Sequence, residues 1–130
     1  MTEIVTPLLL YVEDELLVQA VVITGLEEAG FTLVVARNGE EALQLLSDKG
    51  SELRGLVTDI NLGPGIDGWE IAREARKSTS GLPVVYLSAA SEHEWTSQGV
   101  PGSTMIAKPF AIAQVVVAIS SLLTVSDASA

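Results

Sequence analysis

Five polar residues, Glu13, Asp14, Asp59, Ser88 and Lys108, stand where apolar runs stop, and their types suit phosphoryl chemistry. Glu13 and Asp14 close the run Leu8-Leu9-Leu10-Tyr11-Val12, and Asp59 closes Leu56-Val57-Thr58. Carboxylates gathered at one place repel one another unless a hard cation such as Mg²⁺ sits between them. Ser88 ends a later apolar run and Lys108 follows the last one. A carboxylate attacks phosphorus only when the incoming charge is neutralised and the nucleophile is held in line. In that chemistry Asp59 is the nucleophile and Glu13 and Asp14 hold Mg²⁺, which bridges Asp59 and the phosphoryl oxygens. Lys108 adds a fixed positive charge, Ser88 a neutral hydroxyl donor, and the small Ala89 leaves room for a phosphodonor.

These residues converge only if the chain folds so as to bring strand ends together. Leu8–Val12 reads as a buried strand. Residues 15–29 read as a helix whose apolar stripe (Leu16, Leu17, Ala20, Val21, Ile23, Thr24) lies on a sheet, stopped by Gly30. Residues 31–36 form a second strand. Asn38-Gly39 marks a turn before a second helix that ends near Lys49-Gly50, and residues 53–60 form a third strand. Asn61-Leu62-Gly63-Pro64-Gly65-Ile66 is a tight loop, after which Asp67 caps a third helix with Glu70 three residues on. Residues 82–88 are strand four, and Ser91 to Gln98 hold at most a short fourth helix. Residues 103–107 are strand five, and Phe110 to about Thr124 is the last helix. Residues 1–125 then make one domain, and 126–130 a small polar tail expected to fray.

Strands alternating with helices imply an α/β fold: a doubly wound, five-stranded parallel sheet with helices on both faces. The flavodoxin-like order 2-1-3-4-5, taken from known sheets of this class, puts strands one and three side by side at the switch point. Glu13, Asp14 and Asp59 then share one crevice, and Ser88 and Lys108 lie at the same edge.

The bulk properties narrow the function. At 130 residues the chain suits a single domain with a real core, and with no cysteine it has neither disulfides nor thiol chemistry, which fits a reducing cytoplasm. Its start carries no basic region of a signal peptide, and its apolar runs are too broken for a membrane span. A net charge of −10, with seven scattered basic residues, argues against nucleic acid or anionic lipid and for protein partners.

Taken in order, Glu13-Asp14 in Tyr-Val-Glu-Asp-Glu, Asp59 in Val-Thr-Asp-Ile-Asn, Asp67-Gly68, Ser88 and Lys108-Pro109-Phe110 resemble the receiver domain of two-component response regulators. The resemblance spans about Leu8 to Leu123. It implies a phosphoacceptor signalling domain that takes a phosphoryl group on Asp59 from a histidine kinase or histidine phosphotransfer protein, then switches contacts with a downstream protein. It further implies that the Asn61 backbone carbonyl completes the metal site, that Lys108-Pro109 is cis, and that Ser88 swings toward the phosphoryl group. Such a domain catalyses only its own phosphorylation and dephosphorylation and is otherwise no enzyme. It occurs as a stand-alone regulator, the context expected first here, or as the receiver of a hybrid kinase. Three features depart from the pattern: the loop before Asp67-Gly68 is one residue longer, Met105 replaces the usual aromatic three before Lys108, and the fourth helix is short. Met105 is expected to pack rather than switch.

The alternative is a small Mg²⁺-dependent phosphatase of the haloacid dehalogenase type, which resembles Asp-x-Asp at its nucleophile. Here the second position is Asn61, whose amide cannot transfer a proton. A flavin carrier of similar topology fits less well, because Glu13-Asp14-Glu15 would repel a phosphate. His93 reads as solvated, and Trp69 and Trp95 as packing or rim residues. The last helix has no charge from Phe110 to Thr124, which leaves open either a mild small-residue surface or a homodimer contact.

Overall fold

A computed structural model describes residues 6–129; residues 1–5, and Ala130 at the end of the expected tail, lie outside the described residues. The expected alternation is present: β1 (Leu8–Val12), α1 (Leu16–Glu28), β2 (Thr32–Ala36), α2 (Gly39–Lys49), β3 (Leu53–Asp59), α3 (Gly68–Ser78), β4 (Val84–Ser88), α4 (Trp95–Gln98), β5 (Thr104–Ala107) and α5 (Ile112–Ser129). All strand pairs are parallel, in the order β2-β1-β3-β4-β5. The buried strands carry side chains to two separate cores, as strict alternation along a strand requires. Leu10, Val12, Leu56 and Tyr86 face α2 and α3, where Ala42, Leu46, Trp69 and Ile71 complete the layer. Leu9, Tyr11, Val57 and Leu87 face α1 and α5, meeting Val22, Leu26, Val115 and Ile119. Trp69 is buried, its ring 4.6 Å from that of Tyr86. Met105, beside Tyr86 in the sheet, packs against the same core.

Local signals set the helix starts. Asn38 Oδ1 accepts the Glu41 N–H (2.9 Å) and Asp67 Oδ1 accepts the Glu70 N–H (3.0 Å), so each acidic or amide cap satisfies an otherwise orphaned donor. Among the described residues no helix is long and apolar enough to cross a membrane.

Two expectations are corrected. The stripe assigned to α1 is largely the outward face: Leu16, Leu17 and Val21 are exposed by 67, 85 and 61%, while Val22 and Leu26 are buried and Val18 and Ile23 pack beside them. The helix is apolar nearly all round, so periodicity alone had no polar face with which to choose. The last helix runs to Ser129, past Thr124, so 126–129 continue it in place of a separate tail. No Gly or Pro interrupts the segment, and Asp127 pairs with Arg54 of β3.

One close approach carries the site loop. A Cβ on Gly68 would lie 2.3 Å from the Asp59 carbonyl oxygen and 2.8 Å from Ile60 Cα, so the first turn of α3 can sit against the end of β3 only with glycine there. Gly68→Ala is expected to cost about 1–3 kcal/mol in urea unfolding, since backbone must move to admit the methyl group; unchanged stability would show that the contact is soft.

Candidate metal and phosphoryl site

The sheet's hydrogen-bond ladders continue one residue past the strand ends, which fixes the backbone under the polar residues. Val12 pairs with Thr58, so Glu13 and Asp59 come next on adjacent strands. The Glu13 N–H reaches the Ala36 carbonyl (3.0 Å), the Ile60 N–H the Leu87 carbonyl (3.1 Å), and the Lys108 N–H the Ser88 carbonyl (2.7 Å). The five residues singled out from sequence therefore stand on one edge. Asn61 follows at the same end of β3, its side-chain amide donating to Ser91 Oγ (3.3 Å). The Lys108-Pro109 bond is cis.

Glu13 is fully buried, Asp59 almost so, and Asp14 exposed. One carboxylate oxygen from each lies within 4.8 Å of the others, an all-oxygen donor set suited to a hard divalent cation. Lys108 Nζ is 2.9 Å from Asp59 Oδ2 and 3.4 Å from Glu13 Oε1. One ammonium does not neutralise the group. Burial, then the Asp59 charge, push the Glu13 carboxyl up to about 7, against the opposing pull of Lys108 and the Glu15 N–H. Burial works to lower the Lys108 pKa, but its Asp59 hydrogen bond and charge, joined by Glu13, outweigh it and raise the ammonium above its ordinary value. The excess negative charge is the physical ground on which the residues fit a cation.

Ser88 is buried at the expected edge, but its Oγ is turned onto its own loop, accepting N–H groups from Ser91 (2.6 Å) and Ala90 (3.2 Å). A hydroxyl in that arrangement keeps its proton to donate elsewhere. Ala89 is exposed beside it. Below the edge, Trp95 is partly exposed and its ring N–H bonds Ser103 Oγ (3.0 Å), while His93 is exposed.

Two residues escaped the reading of the sequence. Gln19 donates from its amide to the Glu13 carbonyl (2.7 Å), tying α1 to the acidic edge. Tyr11, two before Glu13 and so on the same side of β1, is fully buried with its hydroxyl unpartnered among the described residues. Burial, with the Glu13 and Asp59 carboxylates adding, holds its phenol far above the ordinary range. The two-residue spacing was the available signal, masked by an apolar run in which tyrosine passes for packing.

Glu13 makes stability and metal binding depend on pH in opposite senses. Its folded-state value of about 7 exceeds the 4.5 of an unperturbed group, so between those limits the folded chain binds more protons. Its contribution to metal-free stability is therefore present below about 4.5 and lost as pH rises toward 7. Deprotonated ligands are what a cation needs, so Mg²⁺ binding should weaken as pH falls through the same range and should release protons. Calorimetric unfolding and Mg²⁺ titration across that range should show both slopes, and Glu13→Gln should flatten them; slopes unaffected by that change would count against Glu13 as their source.

The Response regulator receiver domain family matches residues 9–120. The transcriptional regulatory protein CusR of Escherichia coli K12 is 33% identical over 117 residues, covering 88% of this chain and 50% of that protein. The sensor kinase CckA of Brucella abortus is 28% identical over 121 residues, covering 91% of this chain and 13% of the kinase. A response regulator receiver protein from Sinorhizobium medicae WSM419 superposes with a TM-score of 0.88 at 36% identity, covering 92% of this chain and 95% of the other. The chain thus spans half the length of the regulator and a small part of the kinase. Its sheet order, its acidic edge and these similarities agree, and the chain belongs to the response regulator receiver domain family of two-component systems.

Proposed function

We propose that the domain accepts a phosphoryl group on Asp59 from a phosphohistidine and changes its protein contacts as a result. The observation that supports this most directly is the placement of Lys108 Nζ 2.9 Å from Asp59 Oδ2, beside the Glu13 and Asp14 carboxylates. An Asp59 oxygen forms the new O–P bond as the P–N bond to the donor imidazole breaks, and the nitrogen keeps the electron pair and later takes a proton. A bound Mg²⁺, held by Glu13, Asp14, Asp59 and the Asn61 backbone carbonyl, would offset the charge of the incoming group. Lys108 follows that charge from the carboxylate to the phosphoryl oxygens. Ser88 leaves the Ala90 and Ser91 N–H groups and donates its proton to a phosphoryl oxygen, and the loop that these residues share moves with it.

The donor's approach has a surface to match. Leu17, Val18, Val21 and Val22 of α1, with Ala89, Lys108, Pro109 and Phe110, line an apolar groove of about 550 Å³ beside the site. A helix bearing the phosphohistidine would lay an apolar face there and bring its imidazole past Ala89. Histidine kinases or histidine phosphotransfer proteins are the donors of this reading, a downstream protein the receiver of the signal, and the cytoplasm the compartment. The domain acts on itself and turns over no external substrate. Against the phosphatase alternative, Asn61 offers an amide, bonded to Ser91, where a general acid is needed.

Treatment with a small acyl phosphate and Mg²⁺ should add one phosphate to the wild-type mass and none to Asp59→Asn. Rapid hydrolysis of aryl phosphates without a lasting adduct would favour the phosphatase. Leu17→Glu should slow transfer from an autophosphorylated histidine kinase by about tenfold or more while leaving acyl phosphate labelling unchanged; equal slowing of both would remove the groove from donor docking.

A further inference from the structure

We propose that Tyr11 is a positioning residue of the acidic edge, its hydroxyl taking up the Glu13 carboxylate when Lys108 leaves it for a phosphoryl group. This rests on the function proposed above. Buried polar groups are paired in nearly all folded proteins, and an orphan calls for an explanation. Tyr11 is fully buried, and its hydroxyl has no hydrogen-bond partner among the described residues. Its ring is set in the core between the sheet and α1 and α5, so it cannot turn to solvent. Tyr11 pairs with Val57 across the sheet, and Glu13 and Asp59 come two residues later on the same two chain segments, so alternation puts both carboxylates, each an acceptor, on the tyrosine's side of the sheet. A spare donor beside acceptors is a hydrogen bond that one rearrangement would complete.

The rest of the site says which rearrangement. Glu13 Oε2 is held by the Glu15 N–H at 3.2 Å, while among the described residues Oε1 has Lys108 Nζ as its donor, at 3.4 Å. The lysine's closer partner is Asp59, at 2.9 Å, the carboxylate that would be phosphorylated. When Lys108 follows the new charge, Glu13 Oε1 loses its donor inside the protein, and the Tyr11 hydroxyl is the buried donor placed to replace it. The bond then orients Glu13 as a ligand. Such outer hydrogen bonds to metal ligands commonly decide affinity by tenfold or more.

Tyr11→Phe removes the oxygen and keeps the ring, so core packing is retained. In the metal-free chain the phenol oxygen is unpaired, and the variant should melt no lower than wild type. With beryllofluoride present as a phosphoryl mimic, Mn²⁺ binding, followed by the loss of the free-ion EPR signal, should be about tenfold weaker in the variant. The rise in melting temperature on adding Mg²⁺ together with beryllofluoride should also be smaller. A purely structural tyrosine would instead lower the metal-free melting temperature and leave the affinity unchanged, and that result overturns the proposal. On the unmutated chain, Mg²⁺ with a beryllofluoride phosphoryl mimic should shift tyrosine absorbance to the red. Tyr86, whose hydroxyl already accepts the Val100 N–H at 3.1 Å, serves as the internal constant. No shift overturns the proposal even if the variant fails to fold. Wild type that binds no Mn²⁺ would overturn the metal reading as well, whereas equal binding by both proteins would overturn the role of Tyr11 alone.

Discussion

Three carboxylates share one end of the sheet with a single ammonium, and the charge left over governs the rest of the site. At an effective dielectric of about 20, two unit charges about 4 Å apart repel by about 4 kcal/mol. That is a large part of the net stability of a small domain. A cluster of this kind does not exist to hold a fold together. It persists because the surrounding backbone is already committed: the ladders from Glu13 to Ala36, Ile60 to Leu87 and Lys108 to Ser88 leave the strand ends no freedom to spread. The protein relieves the strain in the ways open to it, with Lys108 drawn between two carboxylates and the Glu13 carboxyl pushed up by its burial and the Asp59 charge. The remainder is an excess of negative charge compatible with a hard cation.

The same edge connects chemistry to partners through short mechanical links. Gly68 lets α3 sit against the Asp59 carbonyl, so the backbone under Asp59 is backed by a helix. Gln19 ties α1 to the Glu13 carbonyl, and that helix turns Leu17 and Val21 outward beside Lys108. Ser88 holds the Ala90 and Ser91 N–H groups, and Ser91 in turn accepts from Asn61. Any force that draws the serine hydroxyl toward Asp59 therefore releases the loop leading into α4. The helix that this loop leads into is only four residues long. The charge-free stretch of α5 is partly spent on packing: Val115, Ile119 and Leu123 are buried, Ile112 packs against the same core, and Val117 remains outward.

The polar groups of the site were legible one at a time. An acid after a buried strand, an Asp cap three before a Glu, and a Lys before Pro-Phe each follow from local pattern, and the alternation of elements named the sheet. The face that α1 buries was not legible, because Leu16, Leu17, Val18, Val21 and Val22 offer no polar contrast. Nor was the end of α5, where the partner of Asp127 is Arg54, 73 residues earlier in the chain. The place of Tyr11 was hidden for a related reason: an aromatic ring inside an apolar run looks like packing until its hydroxyl is seen beside a carboxylate.

Sequence alone therefore determined which elements form, in what order, and which residues could carry phosphoryl chemistry, since these depend on backbone propensity, capping and side-chain type within a few residues. Only the tertiary structure decided that Lys108 lies between Asp59 and Glu13, that Ser88 is turned onto its own loop, and which apolar surface stays outside. Those outcomes are set by distances between strands far apart along the chain, and charge and burial act through distance in space.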